Sequence, residues 1–251
     1  MQWRLLDNDK KDGYWNMALD KAMLLKYQQV NIPTLRFYRW DKATLSLGYF
    51  QKLPPEILEI CQINDIPVVR RPTGGRAVLH DDELTYSIVA PCSLFSSERD
   101  ILKIYHRIAE TFVVAFTTLG LQVELSASDV IDKRALFCFS EPSYYEISVA
   151  GKKIIGSAQK YYRNVLLQHG SLPLTRNLDR VSALFGEEQV HKWTSLKEIT
   201  GSSPDLQRIK NALTMAFVNS FDIHFTYSDF LAIESEKARE LRPDLFDEFN
   251  G

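Results

Sequence analysis

The sequence predicts an α+β fold, and three observations carry that reading. Short β-type runs at 34–38 and 43–48 are separated by a turn at Trp40-Asp41-Lys42. Two apolar runs around Ala150-Gly151-Lys152 read as a hairpin. Between these regions Ile101, Ile104, Tyr105, Ile108, Phe112, Val113 and Phe116 recur at helical spacing.

The elements follow in order. Met17, Ala18, Ala22, Leu24 and Leu25 mark an early amphipathic helix entered through Asp12-Gly13. Two strands come next, then a short helix after Pro54-Pro55, since proline is tolerated in a first helical turn. Ile66 to Val69 is a buried apolar run, and Leu84 to Val89 is a further strand. The helix from Ile101 closes at Gly120. Tyr144–Val149 and Lys153–Ile155 form the hairpin, and a strand over Asn164–Gly170 ends in glycine. Beyond about residue 175 the pattern turns helical and more charged, with Leu206 to Phe221 its clearest element. No internal repeat interrupts this order, and two units are expected: 1–185, and a helical extension over 186–251 packed on it.

Composition narrows the function. Apolar residues make up 45% of 251, enough for a sizeable core in one large domain. A formal net charge of −2 leaves no basic excess for neutralising phosphates, which argues against a general nucleic-acid binder. No apolar run reaches membrane-spanning length, and Met1-Gln2-Trp3-Arg4 has no signal-peptide core. Cys61, Cys92 and Cys138 are odd in number and widely spaced, which fits reduced thiols in a cytoplasmic protein.

The most informative stretch is Arg70-Arg71-Pro72-Thr73-Gly74-Gly75-Arg76-Ala77-Val78-Leu79-His80. Paired glycines permit positive φ and let a ligand reach bare backbone amides. The three arginines are planar donors suited to carboxylates and phosphates. The turn is therefore read as a receiver of an anionic or carbonyl-bearing small molecule. His80 is either part of an exposed acidic turn with Asp81-Asp82-Glu83 or an imidazole serving that ligand. His169, between Gln168 and Gly170, is read as a strand-end residue that orients its neighbours. The five histidines match no zinc spacing, and neither GxxxxGK[ST] nor GxGxxG occurs.

Cys138, within Phe137-Cys138-Phe139-Ser140-Glu141-Pro142, has two readings: a packed small hydrophobe or a nucleophile. Cys61 and Cys92 sit in apolar surroundings and read as packing residues. Lys152 and Lys153 stand at a hairpin, where lysines are ordinarily solvated. Lys153, however, opens an apolar run followed by the small residues Gly156-Ser157-Ala158, which leave space for a ligand. There its ammonium can hold a carbonyl oxygen or an oxyanion.

Taken in order, several segments resemble the lipoate–biotin ligase superfamily, and within it the lipoate-ligase-like octanoyltransferases of the LipM type. They include Asn16-Met17-Ala18-Leu19-Asp20, Leu45-Ser46-Leu47-Gly48-Tyr49-Phe50-Gln51, the Arg-Arg-Pro-Thr-Gly-Gly-Arg-Ala-Val turn and Glu83-Leu84-Thr85-Tyr86-Ser87. Cys138-Phe139, Gly151-Lys152-Lys153-Ile154-Ile155-Gly156-Ser157-Ala158-Gln159 and Leu166-Leu167-Gln168-His169-Gly170-Ser171 complete the likeness over roughly residues 3–175. Arg76 stands where ATP-dependent lipoate ligases usually carry a third glycine.

The resemblance implies mixed, largely antiparallel sheets with flanking helices and a helical C-terminal tail. It implies transfer of an octanoyl group from acyl carrier protein to a lysine of a lipoyl domain, such as the glycine-cleavage H protein. No cofactor, metal, nucleic acid or membrane takes part in that scheme. Cys138 would carry the acyl group as a thioester, with Lys153 as the active-site lysine. Arg70, Arg71, Thr73, Gly74, Gly75, Arg76, Ala77, His80, Gly156, Ser157, Ala158 and His169 would bind substrate. An ATP-dependent lipoate ligase and an amidotransferase between lipoyl domains are the alternatives.

Overall fold

The computed structural model describes residues 1–97, 100–127 and 145–250. Cys138, and the start of the expected hairpin at Tyr144, lie outside the described residues.

The first strand, β1 (Gln2–Lys11), leads into α1 (Gly13–Val30), whose N-terminus is capped by the Asp12 carboxylate accepting from Trp15 N–H. β2 (Thr34–Trp40) and β3 (Thr44–Leu47) follow, then α2 (Pro55–Ile63), β4 (Val68–Arg70), β5 (Val78–His80) and β6 (Glu83–Pro91). α3 (Ile101–Thr118) is capped by Asp100, and Gly120 beyond it takes φ +85°. β7 (Glu124–Ala127), β8 (Tyr145–Val149) and β9 (Lys152–Lys153) form a small antiparallel sheet. The expected hairpin is present, although its second strand is only two residues long and Ile154 and Ile155 are buried outside it.

β10 (Gly156–Tyr162) and β11 (Val165–Pro173) complete the site region. The tail holds α4 (Leu178–Phe185), α5 (Leu196–Thr200), α6 (Leu206–Phe221), β12 (His224–Tyr227) and α7 (Ala232–Asn250). The tail thus contains a strand as well as helices, and β12 pairs in parallel with β1.

A six-stranded sheet runs β10-β11-β6-β2-β1-β12, antiparallel from β10 to β2 and parallel from β2 to β12. One face carries Trp3, Leu35, Phe37, Leu84, Tyr86 and Ile88 and packs on Ile104, Phe112 and Phe116 of α3 and Phe217 of α6. Burying several such side chains, at ~1.5–3 kcal/mol each, is what holds helices to this face. The other face is covered by α1, with α7 packed outside it, and by a second sheet of order β4-β3-β5. Among the described residues, no helix is long and apolar enough to cross a membrane.

Candidate active site

The covered face of the six-stranded sheet is polar at its centre, beside the apolar patch of Leu6, Val89, Val165 and Leu167 that packs on Met23, Leu24 and Tyr27 of α1. Cross-strand register aligns Arg36, Ser87 and His169 in one row, and Tyr38, Thr85 and Ser171 in the next. These side chains would suit a wet surface, yet β2, β6 and β11 are buried there, so each needs a protein partner. Two buried carboxylates supply them. Asp20, on α1, accepts from Arg36 (2.7 Å), Tyr38 Oη (2.9 Å), Ser87 Oγ (2.9 Å) and His169 Nδ1 (2.9 Å). Glu83, opening β6, accepts from His80 Nδ1 (2.8 Å), Trp40 Nε1 (3.1 Å), Ser171 Oγ (2.5 Å) and the Thr85 hydroxyl.

Electrostatics follow from that wiring. Burial alone would raise the Asp20 carboxyl, but the Arg36 guanidinium and the His169 hydrogen bond outweigh it and hold the group below the ordinary carboxylate range. His169 is held below the usual imidazole range by burial, against the pull of Asp20. A neutral ring that donates from Nδ1 to a carboxylate presents Nε2 as an acceptor, and Nε2 lies 2.7 Å from Thr73 Oγ1.

The Gly-Gly turn spans β4 to β5 above this face. Gly75 takes φ +91°, a conformation that side chains rarely adopt. Gly48 permits the turn's approach, since a Cβ there would sit 1.8 Å from the Gly75 carbonyl oxygen. Arg70 donates to the Gly48, Tyr49 and Gln51 carbonyls, and Arg71 to those of Ser46, Gly74 and Arg76. These two guanidiniums therefore shape the loops, whereas the side chain of Arg76 is half-buried and has no hydrogen bond or ion pair among the described residues.

Between the two sheets lies a slot with about 30 Å³ of enclosed space, widening to about 350 Å³ when its solvent-open mouth is included. Of the expected substrate residues, Arg71, His80, Gly156, Ser157, Ala158 and His169 line it. Arg70, Thr73, Gly74, Gly75, Arg76 and Ala77 do not, and they stand in the second layer or at the turn. His80 belongs to no exposed acidic turn: it is 6% exposed and stacks on Trp40 at 4.0 Å. His169 is likewise a wall residue as well as an orienting one.

Met17, Tyr38, Ser46, Val78, Thr85, Gly170 and Ser171 complete the wall, and none is among the twelve expected substrate residues. Two signals were available. Asp20 falls three residues after Met17 on the apolar helix face, and Glu83, Thr85 and Ser87 alternate with apolar residues. Lys153 is 2% exposed, unlike its exposed neighbour Lys152, and its Nζ lies 3.9 Å from Glu146 Oε2. Cys61 and Cys92 are both buried, and burial pushes the Cys61 thiol up to about 11. Among the described residues, no cluster of three His, Cys, Asp or Glu side chains is placed to hold a metal ion.

Residues 12–218 match the lipoyl protein ligase A/B catalytic domain. The octanoyltransferase LipM of Moorella thermoacetica is 39% identical over 256 residues, covering 96% of this chain and 94% of the relative. That of Oceanobacillus iheyensis is 38% identical, covering 88% and 86%. Among solved structures, lipoate-protein ligase A bound with ATP superposes with a TM-score of 0.82 at 26% identity, covering 98% of this chain and 96% of the other. A putative lipoate protein ligase from T. acidophilum with bound lipoic acid gives 0.80 at 25% identity, covering 97% and 96%.

Proposed function

The chain belongs to the lipoyl protein ligase A/B catalytic-domain family, and within that family we propose that it is an octanoyltransferase of lipoate biosynthesis. The observation that carries this reading is likeness to LipM octanoyltransferases along nearly the whole of both chains. The donor is octanoyl-acyl carrier protein and the acceptor is a lysine of a lipoyl domain, the glycine-cleavage H protein included.

The chemistry needs two displacements. The Cys138 thiolate attacks the thioester carbonyl carbon; the bond to the carrier's phosphopantetheine sulfur breaks, and that thiol leaves with a proton. The acceptor lysine amine then attacks the acyl-cysteine. An amide forms, the Cys138 sulfur departs, and the amine gives up a proton. A thioester replaced by an amide runs downhill without ATP. The Lys153 ammonium serves both steps by favouring the thiolate and by stabilising each oxyanion. Its near-complete burial beside Glu146 supports such a role, since solvated lysines at hairpins are exposed. The slot holds the acyl chain, each buried methylene contributing ~0.8 kcal/mol.

Structural likeness to a ligase bound with ATP favours one second reading, ATP-dependent lipoate ligation. Incubation with octanoyl-carrier protein and a lipoyl domain, with and without ATP, separates them. Modification of the acceptor lysine without ATP is expected, and strict ATP dependence would refute transfer. Mass spectrometry of the enzyme with donor alone should find +octanoyl on Cys138. Cys138→Ser should abolish turnover, and full activity in that variant removes the covalent relay.

A further inference from the structure

The two carboxylates are joined through Arg71. From Asp20 the path runs to His169 Nδ1, then from His169 Nε2 to Thr73 Oγ1, which accepts from Arg71 Nε at 3.2 Å. On the other side Arg71 Nη1 donates to Ser46 Oγ at 3.2 Å. That hydroxyl meets His80 Nε2 at 2.7 Å, and His80 Nδ1 meets Glu83. Every residue on the path is at least 94% buried.

A carboxylate only accepts, so each histidine donates from Nδ1; the guanidinium only donates, so Thr73 Oγ1 and Ser46 Oγ accept from Arg71. Burial holds His169 below the usual imidazole range, so its Nε2 accepts the Thr73 proton, while Ser46 Oγ and His80 Nε2 share the corresponding bond on the other side. All five guanidinium hydrogens are directed: the remainder go to the carbonyls of Ser46, Gly74 and Arg76. The path runs from α1 and β11 through the Gly-Gly turn and the three-stranded sheet back to β6, and four of its members, Ser46, Arg71, His80 and His169, line the slot.

Resting on the octanoyltransferase reading, we infer that Asp20 and Glu83 are positioning residues for acyl transfer. Acting through His169–Thr73 and His80–Ser46, they clamp Arg71 from both sides. Arg71 in turn fixes the Gly74-Gly75-Arg76 backbone at the slot. A guanidinium held from one side only can tilt, and the turn tilts with it. Small displacements of groups that position a reacting carbonyl are costly in rate, ~100-fold for about 1 Å.

The test uses the hydroxyl links, because replacing Asp20 also strips Arg36 of its partner. Thr73→Val and Ser46→Ala, assayed well below their thermal midpoints so that each is fully folded, should each lower kcat for acceptor modification about tenfold or more, and Thr73→Ser should restore it. Both act through one guanidinium, so the double variant should fall within about twofold of the worse single variant. Losses that multiply, or folded single variants with wild-type kcat, overturn the inference. Exchange of the Arg71 Nε–H followed by NMR is independent of catalysis. It should be slow in the wild type and at least about tenfold faster in Ser46→Ala, and unchanged exchange refutes the clamp. A wild-type protein that transfers no octanoyl group sinks the function while leaving the exchange result to judge the clamp.

Discussion

Gly170→Ala isolates how tightly the slot wall is built. Gly170 lies in the middle of β11, pairs with both β10 and β6, and has no positive φ, so its backbone conformation does not require glycine. Taken alone, alanine should gain ~0.4–1 kcal/mol by restricting the unfolded chain. The folded state opposes this. A Cβ would stand 2.5 Å from Tyr86 Cε1, 2.7 Å from Ser157 Oγ and 2.8 Å from the Gly156 carbonyl oxygen. Each is about 1 Å inside ordinary contact distance. Relief by moving Tyr86 is obstructed, because its ring packs 4.4 Å from Phe112 and its hydroxyl is held by Gln168 Nε2 (2.6 Å) and Ser157 Oγ (2.8 Å).

Overpacking costs ~1–3 kcal/mol, and each hydrogen bond lost at Tyr86 adds ~0.5–1.5 kcal/mol. Steric cost outweighs the entropy gain. A net loss of about 1–4 kcal/mol is expected, and urea unfolding should show it as a lower midpoint with an unchanged slope. Thermal unfolding should shift by ~2–4 °C per kcal/mol for a chain of this size. A variant as stable as the wild type, or more so, would show that β10 and β11 can separate freely, and the tight wall would be wrong.

Three further outcomes follow from buried charges and thiols. The folded protein resists protonation of His169, whereas the unfolded chain takes up that proton once pH falls below ~6.5. Folding stability should therefore decline on acidification, by up to ~1.4 kcal/mol per pH unit below that point. Urea titrations at several pH values should give a flatter profile for His169→Gln, and equal slopes would refute the assignment. Glu234→Gln strips a buried Arg4 of its bidentate partner at 2.6 and 2.9 Å, and should cost ~3–5 kcal/mol in chemical unfolding. Cys61, buried and with its thiol pushed up to about 11, should stay unmodified by iodoacetamide at mildly alkaline pH in the folded protein. Rapid labelling seen by peptide mass spectrometry would contradict that.

Legibility of the fold tracked how local each signal was. The long helix over Ile101–Thr118 shows its apolar stripe within one window, and α6 begins and ends where the pattern does. β1 was not legible. Its second half, Asp7-Asn8-Asp9-Lys10-Lys11, is polar, and its pairing with β2 shifts register between Asp7 and Lys10. Such a strand is specified by β2 and β12 on either side of it, one of them more than 200 residues away in sequence. β12 was hidden for the same reason, as a four-residue exposed edge whose partner is that distant strand.

The site divided in the same way. The turn at Gly74-Gly75 announced itself through glycine chemistry, and the run Gly156-Ser157-Ala158 through small size. The charges of Arg70 and Arg71 are legible in the sequence, whereas the backbone carbonyls they hold are not. The alternation of Glu83, Thr85 and Ser87 with apolar residues does not tell a buried polar face from a solvated one, since a half-exposed strand produces the same pattern. What decides between them is the placement of β6 third in a six-stranded sheet, with α1 and a second sheet over the polar side. A polar stripe buried in this way must be fully satisfied, and satisfying it takes two carboxylates, two imidazoles and two arginines in one connected arrangement. The slot wall therefore draws on the network that satisfies those buried polar groups, and its lining residues are spread over the chain from Met17 to Ser171.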